Sequence, residues 1–179
     1  LGETIEASSY VLKSIKLREN FSPYVKLYAQ ILIEEKKYLA AKKLLKKTWT
    51  YDSHPELKSS IFRLSENSRE KILDVVKYIV GSNNSEDSTI LLVEASILER
   101  KWNEARDKLK VLLDVQPKKA VCLLMAKIEE GENNNLQKTN SWKTRSEKGA
   151  ENNIWICAVS KGQQNEWTSV SYGGYFNSL

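Results

Sequence analysis

Ser22-Pro23-Tyr24-Val25-Lys26-Leu27-Tyr28-Ala29-Gln30-Ile31-Leu32-Ile33, then Glu34-Glu35-Lys36-Lys37, then Tyr38-Leu39-Ala40-Ala41-Lys42-Lys43-Leu44-Leu45-Lys46-Lys47-Thr48-Trp49, is the stretch that decides the fold. It reads as helix, charged turn, helix. Ser22 followed by Pro23 is a start signal, an N-cap with proline in the first turn. The apolar residues recur at helical spacing on both sides of the turn. Ala29 and Ala41 are the small residues expected where the two helices cross. A hairpin of this size leaves an apolar face uncovered and must stack on a neighbour.

The neighbours are sought by spacing. Ala7 precedes Ala41 by 34 residues, and Lys71, Ala105 and Thr139 repeat that interval in a frame shifted by four. A period of about 34 residues is that of the tetratricopeptide repeat. Lys71 follows Ala41 by only 30 residues, so a shortened second repeat is expected. Ala7 falls in a second-type helix without its partner, which predicts a start in mid-repeat. Leu1-Gly2-Glu3-Thr4 carries no initiator methionine, in keeping with an excised fragment.

Outward from the hairpin, residues 3–18 read as a helix, broken at Asn20–Pro23. Asp52-Ser53-His54-Pro55 is the next break, followed by two weaker helices, Glu56–Leu64 and Ser68–Val80. Gly81 to Ser85 is a loop, with Gly81 placed to end a helix. Ser88–Val115 reads as a second clear hairpin around Glu99-Arg100-Lys101, closed by Pro117. Lys118–Glu130 is one more helix, and Leu136–Lys148 a polar, degenerate one. From Ala150 the helical period is lost. Trp155, Trp167, Tyr172, Tyr175 and Phe176 gather there, so residues 150–179 are expected to be irregular or in short strands. They read either as an aromatic ligand platform or as a cap over the open end of the last helix pair. The cap is preferred, because an open end exposes apolar surface. The predicted fold is all-α: a tetratricopeptide-like, right-handed solenoid of helical hairpins over 1–149 with a mostly non-helical aromatic C-terminal cap.

Composition narrows the function. Hydrophobic residues make up 41%, enough for a core, while 7 glycines and 3 prolines disfavour a turn-rich β-sandwich. No apolar run reaches the length of roughly 18 residues that spans a bilayer, and no signal peptide is visible. The net charge is +5, and six lysines fall between Lys36 and Lys47. Such a run suits nucleic acid or anionic lipid. The preferred reading is the wet face of an amphipathic helix, whose opposite stripe would be Leu39, Ala40, Ala41, Leu44, Leu45 and Thr48. No aromatic residues alternate with these lysines to stack bases, so nucleic acid is not an expected partner. Cys122 and Cys157 form neither a disulfide framework nor a zinc spacing, and Cys122 sits in an apolar run that predicts a buried, inert thiol. The one histidine, His54, precedes Pro55 and is expected to be solvated or to cap a helix. Carboxylates on charged helix faces are expected to be solvated, with no raised pKa. No enzyme activity and no metal site are therefore expected.

The run Val121-Cys122-Leu123-Leu124-Met125-Ala126-Lys127-Ile128-Glu129-Glu130, the later Trp142 and Trp155, and Trp167-Thr168-Ser169-Val170-Ser171 resemble the C-terminal part of the HemY family of alphaproteobacteria. So does Ala41 to Trp49 followed by His54-Pro55-Glu56-Leu57. The segment between Trp155 and Trp167 is longer than the family norm, and residues 149–153 lack its proline-rich approach. The resemblance implies a bacterial inner-membrane protein, held by a hydrophobic N-terminal segment, whose tetratricopeptide domain is linked to haem or porphyrin synthesis. That segment would be its only membrane contact. No G-x-G-x-x-G fingerprint occurs, so the flavin-dependent oxidase of similar name is not implied.

The expected role is a non-catalytic scaffold that takes a protein or peptide, with porphyrin-pathway enzymes as candidate partners, in the groove of the first helices. Lys26, Gln30 and Ile33 would face that groove from one hairpin and Ile90, Glu94 and Ile97 from another. Glu94 opposite Lys26 would make it mixed in charge. The alternative is direct haem or porphyrin binding or transfer. His54 and Cys157 are then the candidate axial ligands, with Met125 expected to be buried.

Overall fold

The computed structural model of the chain describes residues 10–15, 21–113 and 117–149. Among the described residues every regular element is helical and no strand occurs. Residues 10–15 are helical. Then come α1 (Ser22–Glu34), α2 (Tyr38–Tyr51), a 3₁₀ turn (Pro55–Leu57), α3 (Lys58–Ser68) and α4 (Ile72–Val80). They are followed by α5 (Glu86–Leu98), α6 (Trp102–Lys110), α7 (Lys119–Asn133) and α8 (Leu136–Glu147). Residues 150–179, where the aromatic cap is expected, lie outside the described residues. So do Ala7 and most of the expected helix over 3–18.

The helices come in pairs joined by tight turns. Lys36, Arg69, Arg100 and Asn134 each hold a left-handed backbone with φ between 48° and 60° in the turn inside a pair. A side chain there costs about 1–2 kcal/mol. Backbone bonds offset it. The Lys37 N–H donates to the Leu32 carbonyl at 2.8 Å, and in the equivalent turn Lys101 donates to Ser96 at 2.8 Å. Two helix-end carbonyls are thereby satisfied where glycine is more usual. Gly81, at φ 56°, ends α4 as expected. Ser22 does not cap α1. Its hydroxyl donates to Asp52 at 2.9 Å, and Phe21 holds the cap position without a side-chain bond.

The fourth residue of each second helix sits at the crossing. These are Ala41 in α2, Val75 in α4, Ala105 in α6 and Thr139 in α8, all at most 1% exposed. Each N–H donates to the carbonyl of the residue before its helix: Lys37, Lys71, Lys101 and Asn135. The series advances by 34, 30 and 34 residues. Lys71 is therefore not the member at the crossing; it is the exposed residue before α4, and Val75 takes the place. The shortened interval lies after Val75. The crossing selects for burial, which valine and threonine meet as well as alanine, so alanine alone does not mark the frame.

Neighbouring pairs pack through both helices. α1 lies against α2 and α3, α2 against α4, α4 against α5, and α5 against α6 and α7, with α7 against α8. Two apolar cores result. The first runs from Val25, Ala29 and Leu32 through Leu45, Trp49, Ile61 and Leu73 to Leu91 and Ala95. The second joins Ile90 and Val93 to Ala105, Leu109, Val121, Met125 and Ile128, with Trp142 packed on it. α5 feeds both from opposite sides. This explains why its apolar run Ile90-Leu91-Leu92-Val93 is not confined to one face, as suits a helix walled on two sides. No helix among the described residues is long and apolar enough to cross a membrane.

Candidate functional site

The site expected from the sequence lies on the first helices, α1, α3, α5 and α7. Lys26 on α1 donates to Glu56 of the 3₁₀ turn at 3.2 Å. Lys58 on α3 donates to Glu94 on α5 at 2.8 Å, and Lys118, just before α7, to Glu86 on α5 at 2.8 Å. Arg63 on α3 reaches back to Glu34 on α1 at 3.1 Å. Each pair joins one hairpin to the next, with partners 29 to 36 residues apart. Glu94 is expected from the sequence to lie opposite Lys26; in the structure each pairs with a residue of the intervening hairpin, Lys26 with Glu56 and Glu94 with Lys58.

The other expected groove residues divide. Gln30 is half-buried on α1. Ile97 is half-buried and packs on the second core. Ile33 and Ile90 are core residues, 2% and 6% exposed, and their side chains do not line an open groove. Helical spacing put them on the groove side, but at a seam between layers that side is already covered. What the first helices present is a strip of matched charges. A partner meeting it loses solvent from paired ions, which rewards matched polar contacts over one strong charge.

His54 opens the 3₁₀ turn. Its Nδ1 accepts the Glu56 N–H at 3.2 Å, so the capping role is observed, while the side chain is 4% exposed and not solvated. Burial pushes the His54 pKa down, against the pull of nearby Asp52. Met125 is buried, as expected, and Cys157 lies outside the described residues. Cys122 is fully buried, its Sγ 3.9 Å from the Pro117 carbonyl, and burial raises its pKa. Among the described residues no group of three or more His, Cys, Asp or Glu side chains could hold a metal ion.

Two features escaped sequence reasoning. The first is a polar knot where the first three hairpins meet. The Trp49 indole N–H donates to the Ser88 hydroxyl at 2.8 Å, and Asn83 Nδ2 donates to the Trp49 carbonyl at 3.0 Å. The Ser85 and Ser53 hydroxyls meet at 2.8 Å, and Ser85 caps α5 by accepting the Ser88 N–H at 3.2 Å. The spacing Ser85-x-x-Ser88 was the only local signal. The second is Asp87, whose pKa is raised to about 6. Burial is the main cause and Glu86 adds to it; Lys118 and Lys58 oppose it, and Asp52 adds a little. The expectation that carboxylates here are solvated fails at Asp87. Apart from Glu86, the charges named come from other parts of the chain and leave no trace in the local sequence.

The basic run on α2 is amphipathic as expected, with a shifted boundary. Ala41, Leu45 and Thr48 are buried and Leu44 is half-buried, but Leu39 is 75% exposed and Ala40 is exposed too. Lys42 pairs with Glu70, and Lys46 lies 4.1 Å from the ring centre of Tyr78.

No protein-family model, curated protein or solved structure matches this chain.

Proposed function

We propose that this chain is a non-catalytic scaffold, a tetratricopeptide-like, right-handed solenoid of helical hairpins that holds a protein or peptide partner on its first helices. The observation that carries this reading is the crossing series Ala41, Val75, Ala105 and Thr139, recurring at 34, 30 and 34 residues and buried each time. Hairpins tied to the next by ion pairs and a shared helix suit a surface built by stacking, which offers an extended platform and not a closed pocket. Residues 150–179 would form the aromatic cap at its end. The resemblance to the HemY family adds the setting: a domain of an inner-membrane protein in bacteria, working beside porphyrin-pathway enzymes.

The test is photo-crosslinking from Gln30 and Glu94, with Lys110 as a control, in bacterial membranes that carry the protein. Porphyrin-pathway enzymes crosslinked from the first two positions and not from the control are the expected result. Unrelated partners at both would sink the haem connection while leaving a scaffold role.

Direct haem or porphyrin binding is the second reading, and the resemblance alone supports it. His54 would have to leave its buried cap to ligate iron. A hemin titration followed in the Soret band decides this: no shift, or a shift unchanged in His54→Ala/Cys157→Ala, removes the reading.

A further inference from the structure

We propose that the outward face of α2 docks on an anionic lipid surface. This would be a second membrane contact, besides the hydrophobic N-terminal segment that the HemY resemblance implies, and it stands whether or not the scaffold reading holds. α2 carries four lysines and no acidic residue in its 14 residues, whereas α5 carries three acidic residues and neither lysine nor arginine. Positive charge is therefore concentrated on one second helix and negative charge on a first helix.

Leu39, Lys43, Lys47 and Tyr51 follow one another at intervals of four and so form one stripe along α2. Leu39 and Tyr51 are 75% and 71% exposed, and Lys43 and Lys47 between them are exposed as well. The stripe is about 18 Å long. Lys46 flanks it, steadied over Tyr78. An apolar residue at one end, an amphipathic aromatic at the other and lysines between are what a helix lying in the headgroup layer presents. The lysine stems can lie along the acyl boundary while their ammonium groups reach phosphates. A convex helix face offers no groove for an extended peptide. Tyr51 stands at one end of the stripe and Tyr78 lies under Lys42 and Lys46, so no aromatic alternates with Lys43 and Lys47 to stack successive bases.

The test is co-sedimentation of the full chain with vesicles of phosphatidylcholine alone or with about a third phosphatidylglycerol. Each cationic side chain near such a surface contributes roughly a fivefold gain in partitioning. Binding is expected only to the anionic vesicles and should fall at least tenfold in Lys43→Glu/Lys47→Glu. The charge-matched pair Lys110→Glu/Lys138→Glu, on other second helices, should retain most of it. Leu39→Ser should weaken binding without changing its salt dependence. Circular dichroism of each variant confirms that these exposed changes leave the helices intact. The proposal is overturned if vesicles do not bind, or if both charge pairs lose binding equally. It is also overturned if a single-stranded oligonucleotide binds through Lys43 and Lys47 and the vesicles do not.

Discussion

The indole N–H of Trp49, at the end of α2, donates to the Ser88 hydroxyl in α5 at 2.8 Å, across 39 residues of sequence. Trp49 is fully buried and Ser88 is fully buried. One side chain thus fills the first core and fastens the first hairpin to the third. Ser88→Ala strands the indole donor in a dry site, which costs about 1–3 kcal/mol. Trp49→Phe removes the donor and part of the ring and should cost about the same, whereas Trp49→Ala should cost about 3–5 kcal/mol. Urea unfolding of the three variants checks the order. A Ser88→Ala protein as stable as the parent would mean that the bond carries nothing.

Thr139 offers a test of the crossing series in the opposite direction. It is 1% exposed, and its hydroxyl is buried without a hydrogen-bond partner. If the crossing asks only for a small buried group, Thr139→Val should raise stability by about 1 kcal/mol, because it removes an unsatisfied polar atom at nearly constant volume. Ala105→Leu at the equivalent place should lower it by about 1–3 kcal/mol through overpacking. Thermal unfolding of both variants reads the two signs.

These residues also mark what was legible in the chain. The hairpin around Lys36 and the one around Arg100 were readable because apolar period, charged turn and alanine agree there. α3 and α4 were harder. α4 begins at Ile72, after an exposed lysine, and valine occupies its crossing, so counting from alanines placed the frame four residues early. The groove was legible only as a side of the helices. Which of Ile33, Gln30 and Ile90 meets water depends on how the next hairpin lies, and no single repeat encodes that. Asp87 and the Trp49 knot were invisible for the same reason, since their surroundings come from three hairpins.

Gly131 in α7 is a case where propensity and packing disagree. A Cβ at this position would overlap the indole ring of Trp102. In an open helix, Gly→Ala gains about 1 kcal/mol. Here Gly131→Ala should instead lower stability, by about 1–2 kcal/mol, because the indole must move off α7. In a Trp102→Ala background the same substitution should become stabilising by about 1 kcal/mol. A double-mutant cycle in urea measures the change of sign, and an unchanged sign would remove Trp102 as the cause.

Asp87 should leave a signature in the pH dependence of stability. Its folded pKa is raised to about 6, chiefly by burial. Between its unfolded pKa, about 3.9, and about 6, the folded state holds the proton more tightly than the unfolded state. Its contribution is therefore complete only below about pH 3.9, falls as pH rises through about 6, and is lost above that. A shift of this size on a partly exposed group, discounted for solvent screening, amounts to roughly 1–2 kcal/mol. His54 works in the other direction. Its folded pKa is depressed, so its contribution is present above about pH 6.5 and is lost as pH falls. The two partly cancel in the parent protein, and the difference between parent and Asp87→Asn separates them. That variant should be about as stable as the parent at pH 4 and more stable by about 1 kcal/mol at pH 7, with the gap opening between. Urea midpoints at pH 4, 5, 6 and 7 measure it. A gap that does not vary with pH would show that Asp87 has the same pKa folded and unfolded. Lys58 and Lys118 would then offset the cost of burial.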